Sequence, residues 1–269
     1  MRTFHFGEFG RRLYGAYTDP VEGRRGAPAV LLCYPGVHEY NTAHWAFRRL
    51  AASLSRAGYA SLRFDYPGTG DSDGSVEDTT FASMVASLQT AARELLDLSG
   101  ARKLWLVGLR LGATAAAVAT LEGLEVRGLV LWDAVTSGES YLAELEERDR
   151  LRDLLFLHWA EHATKSQELL GYTLPHSVRR SISAVNLGKS LEQRAGAPKQ
   201  VLFLREGREG DAAKDVELSR FWSEQGAEVS RHDLPFGGGV DRQISGNEVL
   251  LSSEAIAVIV ETIGGERGR

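Results

Sequence analysis

The chain has 269 residues, of which 43% are hydrophobic and 25% charged, and its formal net charge is −5 at pH 7. This length can bury a complete core in one domain, or in one domain that carries an insertion. The negative charge disfavours nucleic acid and anionic membrane surfaces as partners. No apolar run reaches the roughly 20 residues that span a bilayer, and the N-terminal residues lack the apolar core of a signal peptide. We therefore expect a cytoplasmic protein with no membrane span.

Strand-like and helix-like patterns alternate along most of the chain. Two short antiparallel strands come first, FHFGEFG and RRLYGAYT, and they are followed by the strands AVLLCYP, YASLRF, KLWLVGL and VRGLVLW with helices between them. The helix predicted over residues 43–58 should place Trp45, Leu50 and Leu54 near one buried face. Strands separated by helices predict an α/β fold with a mostly parallel sheet and helices on both of its faces.

The strand pattern disappears between residues 137 and 197, where the sequence is charged and helical in pattern. It resumes with the strand KQVLFLRE, a helix that ends near Gln225, the strand AEVSRHDLP and a last helix around SSEAIAVIVETI. We therefore predict a core formed by residues 1–136 and 198–269, and a helical cap formed by residues 137–197. Ligands bind such sheets beyond the carboxyl ends of the strands.

Three short sequences at strand ends carry a family resemblance: CYPG after the third strand, RFDYPGTGDSDG after the fourth, and GLRLGA after the fifth. Together they resemble the α/β-hydrolase superfamily, in its serine-aminopeptidase-like branch. The sequence looks most similar to hydrolase-like proteins associated with bacterial exosortase systems. Some of those proteins also have GLRLGA and a Glu-x-Asn element, which Glu39–Tyr40–Asn41 matches here. The resemblance implies the α/β-hydrolase fold.

The resemblance also implies that GLRLG, residues 108–112, is the tight strand-to-helix turn, or elbow, where these enzymes carry a serine nucleophile. Here the central residue is Arg110. A guanidinium stays protonated and has no lone pair with which to attack an acyl carbon. Ser72 also lies in a G-x-S-x-G spelling, but no strand runs into it and no helix follows at once. We therefore expect a turn at Ser72.

The other two members of a serine triad are not evident either. The resemblance places the histidine after the last strand, where PFGGGVDRQISGNEV has none, and His232 lies within the predicted strand. The candidate acids follow the sixth and seventh predicted strands. The alternative role for each of them is a solvated loop charge or a helix cap. They are Asp133, Glu206, Glu209 and Asp211.

The loop predicted after the third strand, residues 36–44, is dense in polar groups. The side chains expected there, facing the elbow as the resemblance implies, are His38, Glu39, Asn41 and His44. A half-buried Arg110 needs a carboxylate partner because an unpaired buried charge is very costly. Glu39 is the first candidate for that partner and Asp133 is the second.

Two interpretations of this site stay open. In one, Glu39 and Arg110 form a structural ion pair that fills the site. In the other, Arg110 holds a carboxylate or phosphate of the substrate through its planar guanidinium. Backbone N–H groups near Val37 and Leu111 would then polarise the substrate, and His38 or Glu39 would transfer protons.

These interpretations give two hypotheses for function. The first is an atypical enzyme that acts on a small acyl, ester or peptidyl substrate, or on a related biosynthetic intermediate, without a Ser-His-Asp triad. The second is a catalytically inactive pseudohydrolase that binds a ligand or a partner protein. The expected partner is a small-molecule or peptidyl substrate, and the sequence leaves a homodimer open.

The sequence gives little support for a metal or another cofactor. Its one cysteine, Cys33, lies in an apolar run, which predicts a buried hydrophobe and excludes a cysteine-cluster site. His158 and His162 are four residues apart and, with Glu161, spell H-x-x-E-H. The fold context differs from that motif and no third ligand is evident. We expect no metal and no cofactor.

Overall fold

The structure is a computed structural model that describes residues 1–36, 38–155, 167–191, 197–206, 212–234 and 253–265. The strands in these ranges are Arg2–Phe6 (β1), Leu13–Thr18 (β2), Ala29–Cys33 (β3), Ser61–Phe64 (β4), Leu104–Leu109 (β5), Gly128–Trp132 (β6), Glu168–Leu169 (β7), Tyr172–Thr173 (β8), Gln200–Glu206 (β9) and Glu228–Leu234 (β10). The α-helices are Glu39–Arg56 (α1), Phe81–Ser99 (α2), Leu111–Leu121 (α3), Gly138–Leu155 (α4), His176–Ser183 (α5), Leu187–Ser190 (α6), Ala212–Glu224 (α7) and Ser253–Gly264 (α8).

Eight of these strands form one sheet in the order β1-β2-β4-β3-β5-β6-β9-β10. β1 and β2 pair antiparallel, as the sequence predicts, and β2 pairs antiparallel with β4. Along the spatial order β4-β3-β5-β6-β9-β10, every pair of neighbouring strands is parallel. The predicted fold class, a mostly parallel sheet flanked by helices, is confirmed. No helix in the described part of the chain is long and apolar enough to cross a membrane.

The hydrophobic core is built around the central strands of the sheet. Every residue of β3, β5 and β6 is buried, which is why their sequences are continuous apolar runs rather than alternating ones. All residues of α3 are buried as well. Its sequence, LGATAAAVATL, is apolar on all sides, as expected of a helix enclosed by its neighbours.

The structure corrects the prediction for the first helix in two respects. α1 begins at Glu39 rather than near residue 43, so much of the predicted polar loop is its first turn. Trp45 is 66% exposed, with the Arg48 guanidinium 5.3 Å from the centre of its ring. The buried stripe of α1 has helical spacing, and Trp45 lies on the opposite side of the helix. The stripe is Ala43, Ala46, Phe47, Leu50 and Leu54.

The segment that follows β6 contains α4, α5, α6 and the two-stranded hairpin β7–β8, which the sequence did not predict. Because β6 pairs directly with β9, this segment is an insertion between two neighbouring strands. A single antiparallel bridge, Ser137 to Asn186, joins its first and later parts. The division into a core and a cap at residues 137 and 197 stays a prediction.

The elbow depends on close backbone approach at Gly112. A Cβ at position 112 would meet the carbonyl oxygens of Cys33 and Tyr34, at the end of β3. The absence of a side chain therefore allows the start of α3 to lie directly against the neighbouring strand end.

Replacing Gly112 by Ala should lower the free energy of unfolding by about 1–3 kcal/mol, the usual cost of overpacking a site that cannot expand. Gly23→Ala is the matched control, because Gly23 is exposed and a Cβ there would lie 3.9 Å from the Pro20 ring. It should change stability by less than about 0.5 kcal/mol. Urea denaturation measures both changes in unfolding free energy. A Gly112→Ala variant as stable as the Gly23→Ala variant would contradict the close contact at Gly112.

Candidate functional site

Arg110 occupies the turn between β5 and α3 in a strained backbone conformation. Its φ is 54° and its ψ is −121°, in a region that residues with a side chain rarely adopt. The Arg110 amide donates to the carbonyl oxygen of Trp132 at 2.9 Å, and its own carbonyl accepts from Ala113 and Thr114 in the first turn of α3. The sheet and the helix together fix this conformation.

The Arg110 side chain is buried between two carboxylates. Its Nε lies 3.0 Å from Glu39 Oε1, and its Nη2 lies 2.8 Å from Glu144 Oε2. The Tyr141 hydroxyl donates to Glu39 Oε2 at 2.9 Å, and the Arg110 Cζ lies 5.0 Å from the centre of the Tyr141 ring. The ion pair with Glu39 is the one expected from the sequence.

α4 supplies the rest of this arrangement. Tyr141, Glu144 and Arg148 share one face of the helix because they are three and four residues apart. Glu144 accepts from Arg148 Nη2 at 2.6 Å through its other oxygen. We call Arg110, Glu39, Tyr141, Glu144 and Arg148 the elbow cluster. The cluster joins α1, α3 and α4 at the carboxyl end of β5.

The charges of the elbow cluster support one another. Burial by itself lowers the pKa of the Arg110 guanidinium, but Glu39 and Glu144 outweigh it, and the resulting pKa lies above the ordinary value. Burial, and then the neighbouring Glu39 carboxylate, raise the pKa of Tyr141 well above 10. Arg110 is therefore charged and Tyr141 is neutral at physiological pH, so Tyr141 acts as a hydrogen-bond donor.

His38 lies at the N-terminal boundary of α1, next to the elbow cluster, and its side chain does not cap the helix. Burial lowers the pKa of its imidazole, and the Arg148 and Arg110 charges lower it further, against the opposing effect of Glu39 and Glu144. The ring is thus neutral at pH 7. Its Nδ1 is buried and has no hydrogen-bond partner among the residues that the structure describes. A neutral imidazole can donate one hydrogen bond and accept another.

The other polar residues predicted around the elbow bond to different partners. Asn41 and His44 are exposed residues of α1 rather than members of a loop. Asn41 donates to the Tyr172 hydroxyl at 3.1 Å, and the ring of His44 lies 3.5 Å from the Tyr34 hydroxyl.

Asp133 was ranked after Glu39 as a candidate for the partner of Arg110. The carboxylate that pairs with Arg110 in addition to Glu39 is that of Glu144. Asp133 has a positive φ of 44° just after β6, and its Oδ1 accepts from the Glu206 amide at 3.3 Å. This bond connects the end of β6 to the end of β9. The second partner of Arg110 thus comes from the insertion and not from a strand end.

The remaining predicted residues divide into buried ones and ones outside the described ranges. Leu111 is buried at the start of α3, and a Cβ at Gly36 would lie 3.5 Å from its Cδ1, so the turn after β3 adjoins the elbow. Residues whose structure is not described are Val37, His158, His162, Glu209, Asp211 and residues 235–252. Within the described residues, no group of three or more His, Cys, Asp or Glu side chains could hold a metal ion.

Ser72 has the structural role that the sequence predicted. Its hydroxyl donates to the Asp65 carbonyl oxygen at 2.6 Å and accepts from the Tyr14 amide at 2.8 Å. The Asp65 carboxylate in turn accepts from the Tyr40 hydroxyl and from the Asp71 amide. The loop after β4 is thus attached to β2 and α1 by hydrogen bonds, and Ser72 is one of the attachments.

Sequence analysis missed Tyr141, Glu144 and Arg148. The available signal was their spacing on one face of a charged helix, in SYLAELEER. That spacing shows that the three side chains can act together, but it does not show which part of the core they face.

Comparison with known proteins identifies the fold. A family profile described as alpha/beta hydrolase fold matches residues 28–173, which is more than half of the chain. No curated protein sequence gives a significant match.

Solved structures similar to this one share the fold at low sequence identity. Est1E from Butyrivibrio proteoclasticus with bound ferulic acid is 15% identical, with a TM-score of 0.63 over 97% of this chain and 96% of that one. An esterase from Pyrococcus furiosus is 16% identical, with a TM-score of 0.63 and coverages of 99% and 91%. A proline iminopeptidase from Mycobacterium smegmatis is 14% identical, with a TM-score of 0.61 and 98% coverage of both chains.

Replacing Glu39 by Gln should lower the free energy of unfolding by about 3 kcal/mol, because it leaves the buried Arg110 with one carboxylate fewer. Glu224→Gln is the control, since its pair with Arg220 is exposed and such pairs contribute less than about 1 kcal/mol. Guanidinium chloride denaturation measures both. A Glu39→Gln variant as stable as the Glu224→Gln variant would show that Glu39 is not needed to compensate Arg110.

Replacing His38 by Gln should change how stability depends on pH. Because the pKa of native His38 is lowered, the unfolded chain binds its proton first as the pH falls below about 6.5, and this destabilises the wild type. The variant lacks that contribution, so its stability should fall less steeply between about pH 7 and pH 5. Unfolding free energies measured across this range test the effect, and parallel profiles would contradict it.

Proposed function

The chain belongs to the α/β-hydrolase fold family, and from this premise we propose that it binds a small acyl, ester or peptidyl ligand without forming an acyl-enzyme. Arg110 takes the place of the serine nucleophile in this proposal. The observation that carries it is the guanidinium of Arg110, buried at the elbow and bonded to both Glu39 and Glu144.

The chemistry of these side chains supports the proposal. Acyl transfer at the elbow needs a nucleophile with an available lone pair, and a protonated guanidinium has none. The two carboxylates keep Arg110 charged, because they raise the pKa of its guanidinium.

Two other side chains that could act as nucleophiles, Ser72 and Cys33, are also unsuited to that role. The hydroxyl of Ser72 is engaged by Asp65 and Tyr14. Cys33 is fully buried, and burial raises the pKa of its thiol, so the reactive thiolate is not populated near pH 7.

The backbone around the elbow still resembles a binding site. Gly112 and Gly36 keep the start of α3 and the turn after β3 close together. Helix α3 also directs its N-terminus, the positive end of the helix dipole, toward this place. A polar acyl or peptidyl group could be held there without being cleaved. Residues 137–197 act as the cap of this site in the proposal, since α4 contributes three members of the elbow cluster.

A second candidate function is a hydrolase in which His38 activates water directly. The observation that favours it is the buried Nδ1 of His38, which has no partner within the described part of the chain and belongs to a neutral ring. A neutral imidazole beside a polar site can accept a proton from water in one step, with no covalent intermediate.

We expect no covalent adduct when the protein is treated with a fluorophosphonate, because the reagent requires an activated serine. Intact-protein mass spectrometry measures the adduct, with a serine esterase of the same fold as positive control. A stoichiometric adduct that disappears in Ser72→Ala would refute the proposal. Ester hydrolysis that resists the fluorophosphonate but is lost in His38→Gln would replace the proposal with the second candidate.

A further inference from the structure

The two carboxylates that compensate the charge of Arg110 differ in their exposure and in their hydrogen bonds. The Glu39 side chain is 3% exposed, and its second oxygen accepts from the buried Tyr141 hydroxyl. The Glu144 side chain is 34% exposed and belongs to the insertion rather than to the core. Glu39 is therefore fixed in the interior, whereas Glu144 lies at the solvent edge of the same guanidinium.

Glu144 bridges two arginines. One oxygen lies 2.8 Å from Arg110 Nη2, and the other lies 2.6 Å from Arg148 Nη2. A carboxylate between two guanidinium groups is the arrangement by which proteins bind carboxylate ligands tightly. Here the carboxylate is a side chain of the protein itself.

Exchange of this carboxylate for another would cost little. A ligand carboxylate in the same place would leave the net charge around Arg110 unchanged, so the buried cation would remain compensated. The displaced Glu144 is already partly solvated, and rotation about its side-chain bonds can bring it fully into water.

His38 provides a second observation at the same place. Its ring lies close enough to Arg148 and Glu144 for their charges to affect it, and none of the described residues forms a hydrogen bond with its buried Nδ1. A buried polar atom without a partner is costly, and a ligand with a polar group next to its carboxylate would provide one.

We propose that Arg110 and Arg148 form a recognition site for the carboxylate of an organic acid, and that Glu144 is an internal substitute which the ligand displaces. The inference rests on the proposed function and adds the chemical class of the ligand: a small acyl or peptidyl compound with a free carboxylate. Glu39 and Tyr141 hold Arg110 in position while the exchange takes place.

Propionate, which matches the end of a glutamate side chain, is the probe. Its dissociation constant is measured by NMR titration against the full chain, with sodium chloride added to keep the ionic strength equal. Glu144→Gln removes the competing charge and should bind propionate about tenfold more tightly than the wild type. Adding Arg148→Gln to that variant should abolish the gain.

Glu147→Gln is the matched control, since Glu147 lies on the same helix in an exposed pair with Arg150. It should bind propionate no more tightly than the wild type does. The proposal is overturned if Glu144→Gln shows no gain, if Glu147→Gln shows the same gain, or if inorganic phosphate binds Glu144→Gln more tightly than propionate. If Glu144→Gln fails to fold, Glu144→Asp, which keeps the charge but shortens the reach, is judged by the same criterion.

The two proposals can fail separately. A fluorophosphonate adduct would refute the proposed function whatever the result with propionate. An unlabelled protein in which Glu144→Gln gains no affinity for propionate would refute this inference alone.

Discussion

The buried charge of Arg110 is the constraint on which the arrangement at this end of the sheet depends. Removing a guanidinium from water costs several kcal/mol unless oppositely charged and hydrogen-bonding groups surround it. Those groups come from two different helices: Glu39 from α1, and Tyr141 and Glu144 from α4. The positions of α1 and α4 over the turn between β5 and α3 are thus linked through one side chain.

Tyr141 contacts both members of the buried ion pair. Its hydroxyl donates to Glu39 while its ring faces the Arg110 guanidinium, so one side chain supports both members of the buried ion pair. Networks of this kind are rigid when every group is satisfied and costly when one is not. The hydrogen bonds of the network therefore fix the part of the site nearest the core. The groups at its solvent edge are the ones that can rearrange.

The backbone of the elbow and its side chain are under separate physical requirements. The tight turn needs close approach at Gly112 and a strained conformation at position 110, and both are present here. Neither requirement specifies which side chain projects from the turn. The backbone geometry of such a turn is therefore compatible with different central side chains, and membership of a fold family does not fix an activity.

The sequence by itself determined the alternating strands and helices, the buried character of AVLLCYP, and the need of Arg110 for a carboxylate such as Glu39. These follow from periodicity, which is local, and from the cost of burying a charge, which holds in any fold. Only the tertiary structure decided that α1 starts at Glu39, that Trp45 faces solvent, and that Arg110 has a second partner, Glu144, in addition to Glu39. The first turn of α1 is polar because Glu39 pairs with Arg110 and Asn41 is exposed, so its composition is that of a loop. Glu144 lies 34 positions from Arg110 along the chain, and their contact depends on where the insertion packs, which no local pattern contains.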